Sequence, residues 1–332
     1  MAVTIEDIKK LRAMTGAGMK DCKKALAEAD GDIDKAVELV RERGLAIAAK
    51  RSDRVTSNGC VLVKNVNGFA ASVALKCETD FVANGADYVQ LTQDILDAAI
   101  AAKAKTLEEV LELEVEPGLK VAEAVQRRSG VVGEKMELDG YQVLEGENIY
   151  TYDHMGRHTL TTMVQLSEAN EDAGHKVAMQ VAAMKPVALN ESEVPQEVKD
   201  SELKIAIEKT KEEQVERQVN AALKKAGINA NLVDSEDHIA SNVTKGWLSQ
   251  EDADKAVAIK AEASAAALAN INENMVQNIA KGRMAKFFKE NCLVDQEFQF
   301  GDDNKQSVSE WLNAQAKGLT IKAYQRYSLA AD

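Results

Sequence analysis

The sequence predicts an α+β protein that combines a three-helix bundle, two related core subdomains of antiparallel sheet and helix, and a long helical hairpin insertion. Three observations lead to this fold class. The 332 residues include 50 alanines and only 3 prolines, a composition that favours long, unbroken helices. Two β-rich runs flank Asn67-Gly68, which is the strongest short-range hairpin pattern. The order strand, turn, strand, helix then occurs a second time, starting near residue 148.

Charge and composition exclude several classes of protein. The net charge is −13, so the chain lacks the basic stripe that phosphate contacts require, and we expect no direct binding of nucleic acid. Aromatic residues make up only 4%, which disfavours an enzyme pocket walled by rings. There is no apolar run of about 18 residues and no secretory leader, so we expect no membrane contact and a cytoplasmic location. The four scattered cysteines are typical of reduced, buried thiols.

Residues 1–55 predict three short helices and a linker, similar to a ubiquitin-associated (UBA) domain. Thr4 is the expected cap of the first helix. The run Thr15-Gly16-Ala17-Gly18 separates it from a second helix that begins near Met19. The third helix is expected to stop at Gly44, with a linker over residues 46–58. Bundles of this kind usually dock other proteins, so this region is a candidate binding module.

The two core subdomains are expected at residues 56–140 and at residues 141–198 with 286–332. In the first, strands on either side of Asn67-Gly68 are followed by a helix over about 87–105. In the second, strands at about 148–153 and 158–167 precede a helix at about 172–184. Its sheet is expected to be completed by strands at 298–300 and 319–327, with a helix at 307–315 between them.

Residues 199–285 predict the helical hairpin, a coiled-coil-like arm. One helix is expected without interruption from about 198 to 226, then a break at 227–231, and a second long, Ala-rich helix from about 250 to 289. At 1.5 Å per residue such helices are roughly 40–60 Å long. An arm of this length either packs on its own chain or pairs with a second copy, and the sequence leaves both open.

Candidate catalytic and metal-binding groups are few. His154 and His158 are four residues apart with His175 downstream, but the two straddle a predicted turn and need not face the same way. We therefore consider a metal-dependent hydrolase at this place much less well supported than a surface or contact role, and we expect no metal and no cofactor. The run Thr15–Lys20 is not a phosphate-binding loop, because no strand precedes it and the Gly/Lys spacing is wrong.

The segment Thr79-Asp80-Phe81-Val82-Ala83 is the most informative part of the sequence. On pattern alone, the favoured interpretation is a helix cap at Thr79 or Asp80 with Phe81 buried. The alternative is a protruding acid–aromatic pair, in which the ring fills a pocket of another protein and the carboxylate accepts hydrogen bonds.

Several motifs, taken in order, resemble the bacterial elongation factor Ts family. They span nearly the whole chain. They are Thr15-Gly16-Ala17-Gly18-Met19-Lys20-Asp21-Cys22-Lys23-Lys24-Ala25-Leu26, Ala48-Ala49-Lys50-Arg51, Thr79-Asp80-Phe81-Val82-Ala83, Tyr152-Asp153-His154-Met155-Gly156-Arg157, Ala178-Met179-Gln180-Val181-Ala182-Ala183-Met184-Lys185-Pro186 and Gly282-Arg283-Met284-Ala285-Lys286-Phe287.

The resemblance implies a guanine-nucleotide exchange factor and not an enzyme with a bond-breaking site. Members of the family bind the GTPase elongation factor Tu and accelerate GDP release. Asp80 and Phe81 match the pair that members insert between two helices of the GTPase domain, which disturbs its Mg²⁺ and phosphate sites. With this resemblance, contact becomes the favoured interpretation for Phe81.

The resemblance also implies which other residues contact the GTPase. Met19 and its loop match an N-terminal contact near the nucleotide, and His154 matches a histidine that supports the phosphate-loop side and the third domain. Lys50 and Arg51 are assigned to the adjoining contact. The complete set implied is Thr79, Asp80, Phe81, Val82, Met19, Lys23, Lys50, Arg51, His154 and Gly156.

Two departures from the family pattern affect the prediction. The segment from about 208 to 270 is longer than the usual arm, and its end either dimerises or folds back. No equivalent is visible of the C-terminal helix with which some members hold the GTPase domain. The competing hypothesis is a translation-associated, protein-binding or chaperone-like module without exchange activity.

Overall fold

The computed structural model describes residues 3–301 and 305–330. The chain forms two compact units, one made of Met1–Leu189 with Gln296–Asp332 and the other of Asn190–Asp295. The fold is α+β, as the sequence predicts. The finer domain limits given above stay predictions.

The N-terminal helices are α1 (Ile5–Thr15), α2 (Met19–Glu28) and α3 (Ile33–Ala49). Thr4 caps α1 in a capping box with Asp7. Leu11, Cys22 and Leu26 form the fully buried centre of the bundle.

The predicted end of α3 at Gly44 is wrong, because the helix continues to Ala49. Gly44 lies instead where α3 crosses a helix of the first core subdomain, at Gly130, and the two glycines let the backbones approach. The predicted linker over 46–58 is therefore helical in its first residues.

The first core subdomain contains a three-stranded antiparallel sheet covered by helices. In chain order its elements are β1 (Asn58–Val66), β2 (Phe69–Cys77), α4 (Asp80–Ala83), α5 (Ala86–Ala102), α6 (Leu107–Glu112), β3 (Glu114–Glu116), β4 (Leu119–Lys120), α7 (Val121–Val132) and β5 (Met136–Glu145). The sheet order is β1-β2-β5, and β3 and β4 pair separately. The hairpin turn is as predicted, with positive φ at Asn67 (52°) and Gly68 (80°).

The second core subdomain begins with β6 (Ile149–Asp153), a 3₁₀ turn at His154–Gly156, β7 (Leu160–Leu166) and α8 (Glu171–Met184). These agree with the predicted elements to within about two residues.

The unit Asn190–Asp295 is helical. Its main helices are α9 (Gln196–Lys225), α10 (Glu236–Thr244), α11 (Gln250–Ala269) and α12 (Glu273–Asn291). The predicted single helix over 250–289 is wrong, since α11 ends at Ala269 with Asn270 as its C-cap, and the Asn272 side chain caps α12. A small core of Val219, Leu223 and Val233 closes one end of the unit.

The end of the chain adds α13 (Val308–Gln315) and β8 (Ile321–Ser328), and the second sheet has the order β6-β7-β8. The strand predicted at 298–300 is wrong, because the segment holds only an isolated bridge between Glu297 and Ser307. Phe298 is fully buried, with its ring centroid 4.1 Å from that of Trp311. An aromatic core contact therefore explains an alternation that resembled a strand.

The two sheets pack against each other through a small apolar core. Ala70 and Leu144 of the first sheet meet Ile149 and Met163 of the second. Polar groups are matched across the layer, for example the Asn65 side chain, which donates to the Ile149 carbonyl at 2.8 Å. This packing fixes the second subdomain relative to the strand ends that lead into α4.

Candidate functional site

The segment after β2 forms an exposed tip, which we define as Thr79–Val82. Thr79 is the N-cap of α4, and its hydroxyl accepts from the Val82 amide at 3.5 Å. Asp80 is exposed and Phe81 is 88% exposed. The structure thus places the cap at Thr79 as expected, but burial of Phe81 is wrong.

The tip is anchored from below. Ala83 and Tyr88 are buried, and the Tyr88 hydroxyl donates to the Leu75 carbonyl at 2.7 Å. Burial raises the pKa of Tyr88 far above its usual range, so this hydroxyl stays protonated and keeps donating. Phe81 therefore projects from a rigid base.

A second exposed turn, His154–Gly156, lies between β6 and β7. The Tyr152 hydroxyl is 3.1 Å from His154 Nδ1, and the Tyr152 ring also meets that of His175 edge-on. Met155 has φ 57° and ψ 17°, and its side chain is 68% exposed. The fold therefore holds an apolar side chain outward on a backbone that costs about 1–2 kcal/mol.

The tip and the residues that directly follow the turn border one cleft. This cleft has a volume of about 310 Å³, and its lining includes Asp80 and Asn84 from the first subdomain and Arg157 and His158 from the second. The His158 ring is hydrogen-bonded through Nδ1 to one carboxylate oxygen of Asp153, whose other oxygen accepts from the His158 amide at 3.1 Å. The structure thus brings the two main predicted contact regions to the same side of the core.

The remaining predicted contacts lie in and after the bundle. Met19, 49% exposed, begins α2, and Lys23 is exposed on the same helix. Lys50 is exposed just after α3, whereas Arg51 is half-buried and its guanidinium covers Gly133. The structure therefore turns Arg51 toward its own core and leaves Lys50 free to reach a partner.

A family model described as "Elongation factor TS" matches residues 78–235 and 218–331. The chain belongs to the elongation factor Ts family. Proteins named elongation factor Ts from Bacteroides fragilis (strain YCH46), Parabacteroides distasonis and Porphyromonas gingivalis (strain W83) are 57%, 54% and 39% identical to it, and each alignment covers 100% of both chains. Membership places the chain among the factors of translation elongation.

The matched segments bear unevenly on the predicted elongation factor Ts contacts. The tip and the His154–Gly156 turn lie inside the segments that the family model matches, whereas Met19, Lys23, Lys50 and Arg51 lie outside them. The full-length alignments to elongation factor Ts proteins cover both groups. Neither comparison assigns a role to any of these residues.

The cysteines of this elongation factor Ts chain are all buried. Burial raises the pKa of Cys60 to about 12 and that of Cys292 to about 11. Since the thiolate is the nucleophile and the metal ligand, neutral buried thiols serve packing. In residues 3–301 and 305–330, no group of three or more His, Cys, Asp or Glu side chains is arranged to hold a metal.

Sequence reasoning missed Met155 as a candidate contact residue. The pattern that could have found it is a large apolar residue between His154 and Gly156 in a turn, where a polar residue is usual.

Across the described part of the chain, no helix is long and apolar enough to cross a membrane.

Proposed function

We propose that the protein binds elongation factor Tu in its GDP-bound form and promotes GDP release, which allows GTP to be loaded. The observation that carries the proposal is Phe81, an aromatic side chain left 88% exposed beside the exposed carboxylate of Asp80. Burying such a ring in a pocket of a partner contributes about 1.5–3 kcal/mol to binding, because the ring is exposed to water in the free protein.

The mechanism follows from thermodynamic linkage. A partner that binds the nucleotide-free GTPase better than its GDP form must weaken GDP binding by the same factor. Asp80 and Phe81 act as a wedge between two helices of the GTPase, displacing the groups that hold Mg²⁺ and phosphate. A segment inserted as a wedge must be rigid, and the tip is rigid because buried Ala83 and Tyr88 hold its base in place.

The other contacts orient the wedge. His154 and Gly156 directly precede Arg157 and His158, which line the cleft together with Asp80, and they contact a second region of the GTPase. Met19 and Lys23 contact it near the nucleotide, and Lys50 and Arg51 belong to the adjoining contact, where Arg51 supports the backbone at Gly133. No bond of a substrate is broken in this scheme, so the protein acts as an exchange factor and not as an enzyme. Its place of action in this proposal is the cytoplasm.

The direct test is release of a fluorescent GDP analogue from purified elongation factor Tu. We expect the double variant Asp80→Ala, Phe81→Ala to slow stimulated release by roughly tenfold or more, because hot-spot side chains carry about 2 kcal/mol or more each. Val66→Ala is the matched control, since Val66 is also apolar and exposed but lies at the opposite end of β1.

Two outcomes would contradict the proposal. No acceleration of GDP release by the unaltered protein, despite binding, favours the protein-binding module without exchange activity. Full activity of the double variant rejects the wedge at Asp80 and Phe81.

A further inference from the structure

Two loops of the first subdomain are joined by reciprocal hydrogen bonds just beneath the tip. Glu134, between α7 and β5, accepts from the Thr79 amide at 3.0 Å and from the Thr79 hydroxyl at 2.6 Å. In return Glu78, between β2 and the tip, accepts from the Lys135 amide at 2.6 Å. Each carboxylate thus holds the backbone of the other loop, and such charge-assisted bonds are stronger than neutral ones.

The loop that carries Glu134 is itself fixed. The Ser129 hydroxyl, in a side chain that is almost fully buried, donates to the Glu134 carbonyl at 2.5 Å. The Gly133 amide donates to the Ser129 carbonyl at 2.8 Å, with Gly133 in the left-handed conformation that ends α7. Arg54 pairs with Glu78 at 2.9 Å from a third side. The tip is therefore tied to the end of α7 and not only to its own strand.

The Thr79 hydroxyl has a single hydrogen, and it is given to Glu134. The hydroxyl can then face the Val82 amide only as an acceptor, which is the role an N-cap needs. A helix of four residues is not stable by itself, because the conformational entropy lost in fixing one turn exceeds the stabilisation from its hydrogen bonds. The direction in which α4 presents Phe81 thus depends on the cap, and the cap depends on Glu134.

We propose that Glu134 is a positioning residue for the Asp80–Phe81 contact. It orients the tip through Thr79 without touching the partner, and Glu78 reinforces it from the opposite loop. This inference rests on the proposed function for its consequence in exchange, but its structural half concerns the free protein alone.

The first experiment measures amide hydrogen exchange of the free, full-length protein. Glu134→Gln keeps the size of the side chain but removes its charge and replaces one acceptor oxygen by an NH2 donor. Both charge-assisted bonds from Thr79 are therefore lost: one becomes a neutral bond, and the other persists only if the Thr79 hydroxyl reverses to accept from the amide. We expect the Thr79 and Val82 amides to exchange at least fivefold faster, while amides of the central strand β2 stay unchanged. Glu123→Gln is the control, since it removes the same charge from the far end of α7, where Glu123 pairs with Arg41.

The second experiment measures stimulated GDP release in a double-mutant cycle with Phe81→Ala. We expect Glu134→Gln to slow release three- to tenfold when Phe81 is present and to add no further loss when it is absent. The shift of the thermal midpoint caused by Glu134→Gln should be the same in both backgrounds, which separates positioning from general stability.

Unchanged exchange of the Thr79 and Val82 amides in Glu134→Gln overturns the proposal, and so does a loss in GDP release that is additive with Phe81→Ala. Failure of the proposed function looks different. In that case the unaltered protein does not stimulate GDP release at all, and the amide exchange alone decides whether Glu134 orders the tip.

Discussion

Two exposed apolar side chains stand at strand ends on one side of the core, Phe81 after β2 and Met155 after β6. Single exposed hydrophobic residues are common on protein surfaces and need no explanation. These two differ, because Phe81 is on a turn held by carboxylates and Met155 is on a left-handed backbone. In both places the local structure is arranged around an outward-facing apolar group, which is what a contact surface requires.

We expect Met155→Ala to weaken stimulated GDP release by roughly three- to tenfold, because the variant removes apolar contact area but keeps the left-handed backbone. Stability should change by less than about 0.5 kcal/mol, since the side chain is exposed. Nucleotide-release kinetics and thermal unfolding check the two expectations. Met184→Ala, at the partly exposed end of α8, is the control. Equal activity of Met155→Ala and the unaltered protein would remove Met155 from the contact surface.

At single positions, the sequence predicts caps better than it predicts exposure. Thr4 and Thr79 both cap helices, because the requirement for a side-chain acceptor before the first turn is local. The tip that carries Phe81 is held by hydrogen bonds from Thr79 to Glu134, which is 55 residues from Thr79 in sequence, and by the buried residues beneath it. The residues next to Phe81 in the sequence indicate neither the bonds to Glu134 nor the buried residues beneath the tip. Only the family motif therefore favoured an exposed ring.

Where helices cross, the decisive residues are the smallest. A Cβ atom added at Gly130 of α7 would lie 2.3 Å from the Gly44 Cα of α3. This overlap is with backbone, which cannot rotate away as a side chain could. Arg41 and Glu123 pair beside the crossing at 3.1 Å. A close backbone contact and an ion pair thus attach the bundle to α7 of the core at this crossing.

Gly130→Ala should therefore destabilise the protein, although alanine normally favours a helix. We expect a loss of about 1–3 kcal/mol from overpacking, seen as a lower midpoint in chemical or thermal unfolding. The matched control is Gly282→Ala in α12, where an added Cβ meets nothing within 4 Å. That substitution should stabilise its helix by about 0.5–1 kcal/mol. A stabilising effect of Gly130→Ala would show that the two helices separate freely.

The same crossing explains why one element boundary could not be predicted. Gly44 is followed by residues that favour helix, and its usual function after a helix is to end it. Its function here is a tertiary contact with Gly130, which is remote in sequence. The hairpin at Asn67-Gly68 was predictable because its turn is local. The break at Asn270 was missed, although it too is marked locally by Asn270, a poor helix former, and by Asn272, the cap of α12.

Across the whole molecule, electrostatics act in two opposing ways. The net charge of −13 at neutral pH favours solubility but adds self-repulsion, which declines as pH falls toward the pI of about 5.0. Specific carboxylates act in the other direction. Hydrogen bonds from the Lys135 amide and from the Lys64 and Lys76 ammonium groups lower the pKa of Glu78, Asp97 and Asp139 respectively.

A lowered pKa means that the folded protein binds protons less readily than the unfolded chain. The stabilisation from these three groups is complete above about pH 4, the ordinary range of a free carboxyl, and is lost as pH falls through the folded pKa values. Asp295 acts oppositely, because burial raises its pKa and its charged form is disfavoured in the folded state. We expect the net effect of the lowered groups to dominate below pH 4, where repulsion between acidic groups has vanished.

The measurement is the thermal midpoint at pH 7, 5.5, 4 and 3, compared with that of Asp139→Asn. The thermal midpoint of the unaltered protein should stay nearly constant between pH 7 and 5.5 and should fall steeply below pH 4. Asp139→Asn should be less stable at pH 7 by under about 1 kcal/mol, since Asp139 is partly exposed and its bond to Lys76 is screened. Because the variant has one fewer group with a lowered pKa, its stability should fall less steeply with acid. Parallel curves for the two proteins below pH 5 would mean that the Lys76–Asp139 pair contributes nothing to acid sensitivity.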